Sequence, residues 1–217
     1  MTNGEAQTDI GTLELVSPYN PILNKVAKAV LLNEIGTKRI ERIIDGMLEI
    51  AHGEQGNPDK PTMVGLAAPQ VGVSERIIVV GIDAQGMGEE PTFRVYLNPE
   101  IIERSDELAH NREGCYSTGE ICGVLDVRHK EVTIKALNRD GEQVIENHKE
   151  FASIILQHEI DHLNGIRFPD RITDDNCLLL VKPEEFGEFR LKWDNWPIKA
   201  SRANWEAMKS GQPPASN

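Results

Sequence analysis

At 217 residues, with 39% hydrophobic and 27% charged side chains, the chain is long enough for one buried core and has neither a disordered nor a fibrous composition. No run of about 18 apolar residues occurs, and the polar, acidic start MTNGEAQTDIGTLELV points away from a membrane span or a secretory leader. A formal charge of -12 disfavours nucleic acid and anionic membranes as partners, and three unevenly spaced cysteines (Cys115, Cys122, Cys177) do not make a disulfide framework, so the cytoplasm is the expected compartment.

Residues 34–51, EIGTKRIERIIDGMLEIA, place Ile35, Ile40, Ile43, Ile44, Met47, Leu48 and Ala51 at three- and four-residue steps, which predicts an amphipathic helix with Thr37 as a cap. GEQGNPDKPT breaks that pattern, and GLAAPQVGV follows as a loop or an extended edge. RIIVVGID, FRVYLNPEIIE, GVLDVRH and EVTIKALNRDGEQVIEN read as strands, with Asn138-Arg139-Asp140-Gly141 as a hairpin turn. From Glu150 to Asn164 the apolar residues lie on nearly every side, which predicts a central buried helix capped by Gly165. The expected fold class is α+β: antiparallel β-sheets packed around a central buried helix, with an N-terminal amphipathic helix and a C-terminal arm. One domain is expected over 1–181, its first 15 or so residues flexible. An extension over 182–217 carries Trp193, Trp196 and Trp205 and ends in disordered residues.

The predicted buried helix contains His158-Glu159-Ile160-Asp161-His162. Residues four apart are rotated by about 40° and separated by about 6 Å along a helix, so both imidazoles reach one metal ion. Glu159 projects about 100° from His158, within reach of a water at that metal. The alternative, two buried histidines satisfied only by hydrogen bonds, is costly in an apolar helix. Catalytic sites of this kind commonly use a third protein ligand. Phe168 stands where the H-E-x-x-H-x-x-G-x-x-H pattern needs histidine, so that extension fails.

Two upstream stretches, VGLAAPQVG (Val64 to Gly72) and EGCYS (Glu113 to Ser117), join QHEIDHLNG in an order and spacing that resemble the three signature motifs of the peptide deformylases, G-x-G-x-A-A-x-Q, E-G-C-x-S and H-E-x-D-H. The resemblance runs from about Leu23 to about Thr173. It implies Cys115, His158 and His162 as metal ligands and Glu159 as general acid/base. It makes the Gln70 side-chain amide and the Tyr116 backbone N–H the donors to the developing oxyanion. The implied reaction removes the formyl group from the N-terminal formylmethionine of nascent polypeptides, bound as an added strand beside Gly65, Ala67 and Ala68. Val64, Gly65, Glu113, Phe151, Ile154 and Ile155 fall on the substrate side, with the apolar four as the methionine pocket and Arg128 as support for Glu113.

The chain departs from the pattern at Met63, at Tyr116, in the STGEICG continuation and in Asp126-Val127-Arg128. None of these removes a ligand, the base or the side-chain oxyanion donor. Cys122 is incidental unless exposed, when it would make the site oxidation-sensitive. A Cys-His-His set suits Zn2+, Co2+, Ni2+ or Fe2+, and the resemblance points to Fe2+. Two other functions fit parts of the pattern, an H-E-x-x-H metallopeptidase and a deformylase-like formyl-peptide binder. The composition of the arm does not choose between covering the core and meeting a partner such as the ribosome.

Overall fold

The computed structural model describes residues 11–53, 63–84 and 90–212. The expectations for the first ten residues, for most of GEQGNPDKPT and for the last five residues lie outside these. The first long helix, α1, spans Lys38–Gly53. It begins after Thr37, whose Oγ accepts from the Ile40 N–H at 3.4 Å, so the apolar stripe starts one turn before the helix does. Ile40, Ile43, Ile44, Met47 and Ala51 face inward, against Leu66, Val71, Ile77, Val79 and Leu97.

Two antiparallel sheets follow. Strands β1 (Gly65–Ala67), β2 (Ile77–Gly81), β3 (Phe93–Arg104), β6 (Glu131–Leu137) and β7 (Gln143–Lys149) form the larger, in the order β1-β2-β3-β6-β7. Strands β4 (Leu108–Gly114), β5 (Ile121–His129) and β8 (Leu178–Leu180) form the smaller, in the order β4-β5-β8. The hairpin between β6 and β7 turns at Asn138, whose Oδ1 accepts from the N–H groups of Asp140 and Glu142 at 3.0 and 2.9 Å; Gly141 supplies a φ of +82°. Strands β4 and β8 carry no pattern that marks them. In β4 only Ala109 and Glu113 are buried, so pairing with β5, not apolar alternation, makes LAHNREG extended.

Helix α2 spans Glu150–Leu163 and buries ten of its 14 residues. Ile155, Leu156, Ile160 and Leu163 pack on Ala67, Ile78, Val80, Tyr96 and Ile134 of the larger sheet. Its polar side ties to the smaller sheet: Gln157 accepts from the His129 N–H at 3.0 Å and donates to the His129 carbonyl at 2.8 Å, and Ser153 donates to the same carbonyl at 2.8 Å. Gly165, at φ +70°, ends the helix. Its N–H meets the His162 carbonyl at 3.1 Å and the Ile166 N–H meets the Asp161 carbonyl at 2.9 Å.

The C-terminal arm folds back over the smaller sheet. Helix α3 (Phe186–Lys192) places Phe189 beside Trp196, which packs on Cys122, Leu179 and Val181 and donates its indole N–H to the Leu180 carbonyl at 2.8 Å. Helix α4 (Arg202–Lys209) inserts Trp205 among Ile121, Leu125, Phe168, Ile172 and Leu178. Burial of two indoles is therefore what attaches the arm to the core, while Trp193 stays half-buried against His110.

Candidate active site

Cys115 stands between the end of β4 and a 3-10 turn over Tyr116–Thr118, and His158 and His162 project from successive turns of α2. Their ligating atoms converge. Cys115 Sγ lies 3.3 Å from His162 Nε2, which lies 3.2 Å from His158 Nε2, and the three atoms are all within 4.8 Å of one another. Burial and repulsion from His158 drive His162 well below the ordinary histidine pKa. In His158 burial is outweighed by hydrogen bonds with Cys115 and Glu113, and its value rises. A soft sulfur and two imidazole nitrogens held this close can share protons only in part; one divalent cation between them satisfies all three. The residues fit a metal.

Behind His158 lies a buried ionic network. His158 Nδ1 is 2.7 Å from Glu113 Oε2, and Arg128 grips Glu113 through Nε to Oε1 at 2.7 Å and Nη2 to Oε2 at 2.9 Å. Arg128 Nη1 also donates to Asp161 Oδ2 at 2.5 Å, where Arg171 Nε joins at 2.6 Å. Burial opposes the charge on Glu113, but the Arg128 guanidinium and the His158 ring outweigh it and hold its carboxyl well below the usual range. A carboxylate at Nδ1 keeps the proton there and aims the Nε2 lone pair at the cluster. The sequence expectation set Glu113 on the substrate side, and the structure turns its carboxylate to this network. It is buried, with both oxygens engaged by Arg128, His158 and Asn111.

Glu159 is 4% exposed, and burial pushes its carboxyl up to about 7 against the pull of His158. Its Oε2 has no hydrogen-bond partner among the described residues. The other oxygen sits against β1: a Cβ added at Gly65 would stand 2.4 Å from Glu159 Oε1 and 2.8 Å from Ile155 Cγ2. Gln70 follows β1 in a 3-10 turn over Ala68–Val71. Its Oε1 accepts from the Ala67 N–H at 2.7 Å, which turns Nε2 toward Cys115 Sγ at 3.4 Å and Ser117 Oγ at 3.2 Å. Tyr116, next to Cys115, packs against the cluster of α1.

Of the four residues read as a methionine pocket, half-buried Val64 and Phe151 border the apolar cluster that contains Ile155. Ile154 is half-buried on the same helix, outside that cluster. Met63 is a core residue, and Cys122 is 1% exposed with burial pushing its thiol up to about 12, so it is not an exposed oxidation site. The sequence reading did not single out Asp161, Ser117 or the Ala67 amide. Only Asp161 left a signal there: a second acid inside a helix read as buried must either lose its charge or find a cation.

A family profile described as polypeptide deformylase matches residues 12–176. The peptide deformylase of Halalkalibacterium halodurans is 38% identical over 169 residues, covering 73% of this chain and 89% of the relative. That of Halothermothrix orenii is 43% identical over 154 residues, covering 70% and 88%. Among solved structures, the class I type b peptide deformylase of Acinetobacter baumannii bound to Met-Ala-Ser matches with a TM-score of 0.65 at 34% identity, over 74% of this chain and 99% of that one. The fold is thus a mixed α and β architecture with antiparallel sheets, as in these enzymes. With its Cys-His-His cluster, the chain belongs to the polypeptide deformylase family, metal-dependent hydrolases that remove the formyl group from the N-terminal formylmethionine of newly made polypeptides.

Proposed function

We propose that Cys115, His158 and His162 hold one divalent ion, with Glu159 as general acid/base and Gln70 and Tyr116 as oxyanion donors. The observation that carries this reading is the convergence of Sγ and two Nε2 atoms within 4.8 Å, beside a buried carboxylate and an oriented amide. When bound, the ion supplies Lewis acidity to the formyl carbonyl and to the attacking water. Glu159 takes a proton from that water and later gives it to the leaving amine, a task suited to a carboxyl whose pKa burial has brought to about 7. Gln70 Nε2, fixed by the Ala67 N–H on its other end, donates to the charge that develops on the formyl oxygen, and the Tyr116 amide is the second donor. Glu113 and Arg128 hold His158 in the coordinating tautomer.

Strand β1 is an edge: it pairs with β2, and no other strand lies along its outer side among the described residues. We read that edge as the seat of the formylated peptide, added as a strand, with Val64, Gly65, Phe151, Ile154 and Ile155 at its first side chain. The Acinetobacter baumannii enzyme, which binds Met-Ala-Ser, supports a short Met-headed peptide as the occupant. In this reading α2 is the central helix of one catalytic domain over 1–181, and 182–217 is an extension of it. Fe2+ is the ion assigned in the cell, with Zn2+, Ni2+ or Co2+ able to replace it; the donor chemistry admits all four. The substrate comes from the ribosome and the three cysteines are unpaired, which supports a cytoplasmic place, with the ribosome as a further partner. No described helix is long and apolar enough to cross a membrane.

The test is formate release from formyl-Met-Ala-Ser by anaerobically prepared, iron-loaded protein, with metal content measured beside it. Glu159→Ala is expected to lose about 10²- to 10⁴-fold in kcat while keeping its metal. Undiminished turnover by that variant would remove Glu159 from the role.

A further inference from the structure

Helix α4 lies beyond the residues that match the family, yet it reaches the turn that carries Cys115. The link is Arg167, 1% exposed, just after the helix that bears both histidines. Its Nη1 donates to the Ser117 carbonyl and to the Pro18 carbonyl, both at 2.8 Å, and its Nη2 donates to Asn24 Oδ1 at 2.9 Å. The guanidinium stacks over the Trp205 ring at 4.4 Å, a cation–π contact made in a dry setting, since Trp205 is fully buried.

Trp205 is itself fixed. Its indole N–H donates to Asp170 Oδ1 at 3.0 Å, Lys209 Nζ donates to the same oxygen at 2.7 Å, and the Lys209 carbonyl accepts from Asn24 Nδ2 at 2.6 Å. The apolar side of α4 completes the contact. Trp205 and Met208 share one cluster with Phe168 and Cys115, and Phe168 stacks on the His158 ring with centroids 6.2 Å apart. Thus two of the three ligating residues, His158 through Phe168 and Cys115 through its cluster and the Ser117 carbonyl, rest on side chains that α4 packs against.

We infer that α4 is a buttress of the metal centre, and that Arg167, clamped by Trp205, is a positioning residue that fixes the Cys115 turn against α2. This rests on the reading of Cys115, His158 and His162 as ligands. Arg167 is neither a ligand nor a substrate-side residue; it acts through the Ser117 carbonyl, two residues beyond Cys115. Residues that orient ligands in this way commonly change metal affinity by about 10- to 100-fold when replaced.

The experiment loads the full chain with Co2+, reads the thiolate-to-cobalt absorption band, and follows cobalt loss into a chelator. Arg167→Met and Trp205→Ala are expected to release cobalt about 10-fold faster or more, with a shifted or weakened band, while Arg167→Lys and Trp205→Phe recover part of the loss. Val132→Ala, in the apolar cluster of the larger sheet, is the control for stability alone and should release cobalt at the wild-type rate. If Trp205→Ala does not fold, Arg167→Met decides. Release from Arg167→Met no faster than from Val132→Ala overturns the buttress. A wild-type chain without the thiolate band, whose cobalt content Cys115→Ser leaves unchanged, removes the ligand reading itself and the inference with it.

Discussion

Gly65 has no side chain, and Glu159 occupies the space one would take. A Cβ there would stand 2.4 Å from the carboxylate and 2.8 Å from Ile155, both buried side chains, so one of them must shift. Gly65→Ala is therefore expected to displace Glu159 and to lower kcat on the order of 100-fold with the metal content unchanged, measured by formate release beside metal analysis. A variant as active as the wild type would show that Glu159 needs no such fit. The grouping of Glu159 with His158 and His162 was legible in the sequence because a spacing of four on a helix states its own geometry. The resemblance supplied Cys115 and Gln70. What orients each of them was not legible: the Ala67 amide that turns Gln70, and the Arg128 fork that makes Glu113 a partner of His158, are contacts between segments far apart in the chain.

At the scale of elements, the end of α2 is fixed by Gly165, whose φ of +70° disfavours a side chain and where an added Cβ would stand 2.7 Å from the Asn24 backbone. Gly165→Ala is expected to cost at least about 1 kcal/mol, from the left-handed backbone alone, in denaturant unfolding. The larger sheet carries a pH-dependent tie between β3 and β7. Tyr96 donates to Glu146 Oε2 at 2.6 Å and Arg94 to Oε1 at 2.8 Å. Burial opposes ionisation of Glu146, but these two partners outweigh it and hold its pKa below the usual value. A depressed carboxylate stabilises the fold above its unfolded pKa of about 4.3 and loses that contribution as pH falls through the folded value. Glu146→Gln should thus be less stable than wild type near pH 7 and converge with it in acid, by thermal melts across pH. A gap constant down to pH 3 would rule out the ionic part. Helix α1 announced itself by its apolar period, α2 by apolar residues on nearly every side and most strands by β-branched runs, whereas α3 and α4 lie in what read only as an arm. Strands β4 and β8 did not, because one is mostly polar and the other only three residues long.

Across the whole molecule, Arg128 joins the smaller sheet to α2 by serving Glu113 and Asp161 at once, with side-chain exposures of 2%, 5% and 6%. Arg128→Met would leave two buried carboxylates with less compensation, and is expected to cost about 3–5 kcal/mol and to loosen the metal with it. Loss of stability below about 1 kcal/mol would show that Arg171 and water suffice. The arm was the least legible part. Its three tryptophans announced burial or binding without saying which, and the structure answers by burying Trp196 and Trp205 on the smaller sheet.

By itself the sequence determined the reaction class, the metal ligands' identity as expectations and the buried character of α2, because each depends on spacing along one element or on motifs read in order. Only the tertiary structure decided where Glu113 points, that Cys122 is sealed, and that α4 stands behind Cys115. Those facts depend on which distant segments share a contact, and a chain's local pattern carries the tendency of a residue to be buried but not the partner that buries it.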